Sequence, residues 1–129
     1  MSFFFGFYFR FFEGEENMLK GMSSTIEKAK IFLSGESVEY AEGSVVSKMI
    51  LKKPAGNITL FAFDKDQGLT EHTTPHDALV QLLDGNSEIT IGGTLYNLHA
   101  GQSIILPANI PHSLKANEKF KMMLTMIKS

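Results

Sequence analysis

The chain carries four histidines, His72, His76, His99 and His112, and all of them fall between Gly68 and His112. Imidazole changes its charge near neutral pH, accepts or donates hydrogen bonds and ligates metals, so this run is where chemistry is expected. There is no cysteine, which removes thiolate sites, thiol nucleophiles and disulfides. No glycine-rich phosphate loop, Ser-His-Asp order or paired carboxylates stand out. His72 and His76 are four residues apart, and even spacing puts both on one face of a strand. Pro75 lies between them, where it removes a ladder donor and accompanies an irregular strand or edge. Thr74 shares their parity and offers a hydroxyl to the same face, while Glu71 has the opposite parity and is expected to face away. His99 precedes the Ala100-Gly101 turn and is expected to be exposed.

These side chains need a frame that brings residues forty apart together. Short apolar alternations are separated by Asp84-Gly85, Gly92-Gly93 and Ala100-Gly101, a rhythm that predicts an antiparallel all-β sandwich or barrel. Strands are expected at 44–53, 58–63, 78–83, 87–91, 94–98, 102–106, 110–115 and 120–126. In the second, Thr59, Phe61 and Phe63 face one way and Ile58, Leu60 and Ala62 the other, the pattern of a strand covered on both sides. In the third, Ala78, Val80 and Leu82 share a face opposite Leu79, Gln81 and Leu83, so the outer leucines call for a covering layer or a dimer interface. Gly92-Gly93 suits a primed hairpin turn. Phe120, Met122, Leu124 and Met126 align on one face of the last strand, where Met122 and Met126 would line an apolar cavity and adapt to a ligand.

The first twenty-two residues differ in character. Residues 3–12 hold eight of the fourteen aromatics, with Arg10 inside the run and Glu13-Gly14-Glu15-Glu16 after it. That order does not suit a secretion signal. The segment reads as an extension outside the domain, which then spans 23–129, or as an extra edge strand for this or a neighbouring subunit. Ser24-Thr25-Ile26-Glu27 fits a capping box for a short helix to about Leu33, ended by Ser34-Gly35; an extended lead-in is the alternative. A formal charge of -2 over 129 residues leaves no basic footprint for nucleic acid. No apolar run reaches the length of a membrane helix. A soluble, cytoplasmic, single-domain protein is expected.

The sequence resembles the cupin superfamily, specifically its small single-domain members, over about residues 40–127. The family's second motif, G-x5-P-x-G-x2-H-x3-N, is matched by Gly101, Pro107 and His112, with Asn109 where the family has glycine and Ala116 where it has its final Asn. Of the first motif, His72 stands at a histidine position, Thr74 and Ala78 replace the second histidine and the acidic ligand, and Gly85 closes it. The resemblance implies a jelly-roll (double-stranded β-helix) barrel, commonly dimeric, with His72 and His112 on its inner wall. It also implies that a small polar or carbohydrate-derived ligand binds in a pocket formed by His72, Thr74, His76, His112 and Met122. The alternative is a metal-dependent enzyme of dioxygenase, isomerase or decarboxylase type, with manganese, iron, nickel or zinc held by His72, His112 and His76. A filled, purely structural barrel would leave two histidines buried at a cost.

Overall fold

The computed structural model describes residues 26–128. The readings of 1–22 as an extension and of Ser24-Thr25 as helix caps therefore fall outside the described residues. Among these described residues, eight strands follow a single 3-10 turn at Ser34–Glu36: β1 (Val45–Lys53), β2 (Gly56–Phe63), β3 (Gly68–His72), β4 (Asp77–Ile91), β5 (Thr94–His99), β6 (Ser103–Leu106), β7 (His112–Lys115) and β8 (Phe120–Ile127). All pairings are antiparallel, in the order β1-β2-β8-β4-β7-β3, with β5 and β6 also paired to β4. The chain is an all-β jelly-roll barrel, as expected.

β4 decides the curvature. Asp84-Gly85 was expected to be a turn between two strands, yet β4 runs through it as one strand of 15 residues. Its first half pairs with β6 and β8, and its second half with β5 and β7, so one strand serves both sheets. Strands that switch sheets do so at bends or bulges. Here the register against β8 slips between Leu82 and Asp84, and Gly85 takes φ 75°. A Cβ at Gly85 would lie 2.2 Å from the Lys119 carbonyl oxygen. The glycine is thus required by a bend and a close approach, two needs that a turn reading does not separate.

β3 was foreseen only as a strand carrying His72 on to His76, and its actual span from Gly68 to His72 was not, because only Leu69 of its five residues is fully buried and its pattern is not an apolar alternation. The segment before β1 is not a helix. Residues 30–33 have no helical or strand pairing, and Ser34-Gly35 opens the 3-10 turn instead of ending a helix.

Two apolar layers result from the two-faced strands. Inside the barrel, Phe61 and Phe63 of β2 meet Ala78, Val80 and Leu82 of β4, Ile89, Leu114, Phe120 and Met122. Outside, Leu60 and Ala62 are covered by Val38 and Ile50, with Tyr40, Val46, Leu83 and Met123 packed against them. The covering layer required by the outer leucines is, for Leu83, the protein's own lead-in. That lead-in is pinned at the β4 bend: the Tyr40 hydroxyl donates to Asp84 Oδ2 at 2.5 Å, and Lys121 Nζ donates to the Gly35 carbonyl at 2.7 Å. Lys119 and Lys121 also stand over the Tyr40 ring at 4.7 and 5.0 Å. Burial, and then the Asp84 carboxylate, push the Tyr40 phenol well above its usual range, so it stays a donor.

Candidate functional site

His72 ends β3 and His112 begins β7, and the two are direct cross-strand partners. Forty residues of chain are closed by that one register. Their rings meet edge to face with centroids 4.5 Å apart. The His72 Nδ1–H donates to the Thr70 carbonyl at 2.8 Å, and the His112 Nδ1–H to the Ile110 carbonyl at 3.2 Å. A carbonyl only accepts, so both neutral rings carry their proton on Nδ1 and their lone pair on Nε2. This matched arrangement is the one that orients imidazoles as ligands or acceptors.

Electrostatics keep the pair uncharged. Burial lowers the His72 imidazole from its ordinary value. Burial, reinforced by the neighbouring His72, lowers that of His112 to about 4. His112 is only 5% exposed. At neutral pH the pair is therefore two Lewis bases rather than two cations.

The histidines line a cavity with Leu69, Thr74, Ala78, Leu106, Leu114, Met122, Leu124 and Met126. Its volume of about 20 Å³ admits one water-sized group. The structure thus brings together His72, Thr74, His112 and Met122 of the expected pocket residues, and Met126 beside them. Thr74 does not aim a donor into it: its Oγ1 donates to the His76 carbonyl at 3.0 Å, inside its own loop. That loop is laced to the Pro107-Ala108-Asn109 corner, where Asn109 N donates to the Thr74 carbonyl and Ala108 N to Asp77 Oδ1, each at 2.7 Å. Asn109 takes φ 65°, the left-handed conformation its motif position demands.

His76 is not among the residues lining the cavity. The parity argument assumed a continuous strand, but β3 stops at His72 and β4 starts at Asp77, so Thr73 to His76 form a loop around Pro75. Among the described residues, no group of three or more His, Cys, Asp or Glu side chains is placed to hold one ion. With Thr74 and Ala78 in place of the family's other two ligands, the residues present do not fit a divalent ion bound by three or four imidazoles and carboxylates. His99 is exposed on β5, with its Nδ1 against Asn86 Oδ1 and its N–H donating to Gln102 Oε1. Glu71 faces outward, onto a wide groove of about 490 Å³ over β3 and β7 that also carries Asp66, Gln67 and Lys115. That groove is larger than the inner cavity, but its ionisable side chains are exposed and, among the described residues, no histidine lines it.

Residues 59–128 match the family described as Cupin domain. The chain is a cupin. A solved structure of a conserved protein of unknown function from Streptococcus pyogenes is 37% identical, with a TM-score of 0.78 over 84% of this chain and 96% of that one. A cupin 2 conserved barrel domain protein from Leptotrichia buccalis is 42% identical, with a TM-score of 0.70 over 72% of this cupin, which spans 45% of that longer chain. A cupin superfamily protein from Desulfitobacterium hafniense, at 21% identity and a TM-score of 0.75 over 83% of this chain and 97% of that one, shares the fold. No curated protein matches this cupin. No helix among the described residues is long and apolar enough to cross a membrane.

The sequence reading missed the apolar wall formed by Leu69, Leu106, Leu114 and Leu124. The signal for three of them was present: Leu106 and Leu114 lie within the second motif, next to Pro107 and two residues after His112, and Leu124 shares the face of Met122 and Met126 on β8. Leu69 carried no such signal, because the strand holding His72 was not expected to begin as early as Gly68.

Proposed function

We propose that this cupin binds a neutral, hydroxyl-bearing small molecule of carbohydrate-derived type, and that His72 and His112 receive one of its hydroxyl groups. The observation that carries the reading is the pair of Nδ1–H bonds to the Thr70 and Ile110 carbonyls. They leave Nε2 as the acceptor on each ring, and burial opposes the charged form that an anionic ligand would require. A hydroxyl fits a cavity of about 20 Å³ and meets apolar walls on its other sides. The body of the ligand would then lie at the mouth, beside Thr74 and Met126. The metal-dependent enzyme is the weaker reading, since two imidazoles are fewer ligands than catalytic metal sites ordinarily use.

Calorimetric titration at pH 7 tests this with a panel of neutral monosaccharides and polyols beside their carboxylate counterparts. Neutral compounds should bind, and His112→Leu should weaken them roughly tenfold, the worth of one buried hydrogen bond. Tighter binding of the carboxylates, or indifference to His112→Leu, would overturn it.

The outer face supports a homodimer as the working form. Leu51, Ile58, Thr125, Leu79 and Ile105 are successive cross-strand partners, a row that crosses five strands on the outside of the barrel. Leu51 and Ile105 are 40% and 61% exposed.

A further inference from the structure

The cavity holds sulfur donors beside its imidazoles. Met122 and Met126 lie four apart on β8, share its inner face and line the same cavity as His72 and His112. The remaining wall is aliphatic apart from Thr74, and among the described residues no carboxylate lines it. We propose that His72, His112 and the thioethers of Met122 and Met126 form a binding site for a cuprous ion.

Three features select this ion. Thioether sulfur is a soft donor, and among biological metals it favours Cu(I), whereas manganese, magnesium and calcium favour oxygen. A buried charge with no anionic partner costs less as a monovalent than as a divalent ion. The cavity of about 20 Å³ has room for one ion and little else, which suits a metal satisfied by few ligands without a water shell. The carbonyl bonds at both Nδ1 atoms fix the rings so that Nε2 is the ligating nitrogen in each. Methionine side chains have three rotatable bonds and can bring sulfur to such a centre without moving β8. The inference goes beyond the ligand reading and does not rest on it, because a hydroxyl and a cuprous ion would compete for the same two nitrogens.

The test is an anaerobic titration of the full chain against the Cu(I) complex of bicinchoninate, which loses its colour as copper is withdrawn. The protein should withdraw copper, and a variant combining Met122→Leu with Met126→Leu should hold it roughly tenfold or more weakly. Leucine conserves the volume of methionine, so the variant should keep the parent's circular dichroism. X-ray absorption of the loaded parent should show both nitrogen and sulfur around copper, a readout that stands even if the variant misfolds. Failure to withdraw copper, a copper shell without sulfur, or equal affinity of parent and double variant would overturn the site. Calorimetry with zinc alone adds a further arm: binding as tight as that of copper would overturn the choice of ion. Failure here leaves the hydroxyl titration of the ligand reading untouched, since that experiment contains no copper.

Discussion

The inner row of β8 joins two unlike regions. At one end Phe120 stacks on Phe63 at 4.5 Å with the rings 11° from parallel, and Phe63 tilts against Phe61 at 6.0 Å; all three are essentially inaccessible. Toward the other end, Met122, Leu124 and Met126 pass beside two imidazoles that share a small cavity. One strand with one alternation thus builds a sealed aromatic plug and a small pocket that holds two imidazoles. The difference lies in what stands opposite. β2 supplies phenyl rings to the plug, while the pairing of β3 with β7 supplies histidines to the pocket. Stability is concentrated where side chains interlock, and reactivity where packing leaves a gap.

The largest expected effect strikes the plug. Phe120→Ala removes a fully buried ring from the stack and leaves a cavity between β2 and β4, at a cost of about 3–5 kcal/mol. Urea unfolding followed by circular dichroism should show that loss as a fall in the midpoint. The corresponding change in the pocket, Met126→Leu, conserves volume and should stay below about 1.5 kcal/mol. Equal losses at the two sites would dissolve the distinction between plug and pocket.

The pocket carries a different liability, which appears with pH. His112 has an ordinary value of 6.5 and is lowered to about 4 by burial and by His72, which is itself shifted downward. The unfolded chain therefore takes up a proton that the folded chain refuses. This stability is fully present above about pH 6.5 and is lost progressively as the pH falls toward 4. At 1.36 kcal/mol for each pH unit, the loss at His112 is on the order of 3 kcal/mol. His112→Leu should flatten the stability curve between pH 7 and pH 4.5, while Phe120→Ala should lower it without changing its slope. Parallel curves for the parent and His112→Leu would mean that the imidazole titrates freely in the fold.

The plug was far more legible in the sequence than the pocket. Alternation alone grouped Phe61 with Phe63, Val80 with Leu82, and Phe120 with Met122 on shared faces, because period-two burial is a local signal, but which face of β2 lies inside came only with the structure. The His72–His112 pair was legible only through its motif positions, since a cross-strand register between residues forty apart leaves no local trace. His76 misled because parity holds only while a strand continues, and Pro75 marks where this one does not. Gly85 was recognised as a required glycine but assigned to a turn: a bend inside a long strand and a turn between two short ones demand the same positive φ. The Tyr40–Asp84 contact had no signal at all, being a surface pairing across forty-four residues.

The smallest effect on the protomer should come from the outside of the same barrel, and it bears on assembly. Leu79 sits at the fourth position of the outer row, between Thr125 of β8 and Ile105 of β6. It is only half-buried, unlike Ala78 and Val80 on the inner face. Leu83, four residues on, already lies under the lead-in. The homodimer expectation therefore rests on Leu79 and the row around it, no longer on both leucines. Paired strands stand about 4.8 Å apart, so the five residues in register, four of them aliphatic with Thr125 at the centre, make a largely apolar stripe about 19 Å long. Two such stripes related by a two-fold axis would bury each other, as isologous contacts do. Leu79→Lys should change the stability of an isolated protomer by about 0.5 kcal/mol or less, because the lysine head can reach water along the barrel surface. In a dimer the same ammonium would be held against the partner's stripe without a counter-charge, and the contact should fail. Light scattering at micromolar concentration should then give twice the protomer mass for the parent and the single mass for Leu79→Lys. A parent that is already monomeric, or a variant that still dimerises, would assign the outer row to the protomer alone.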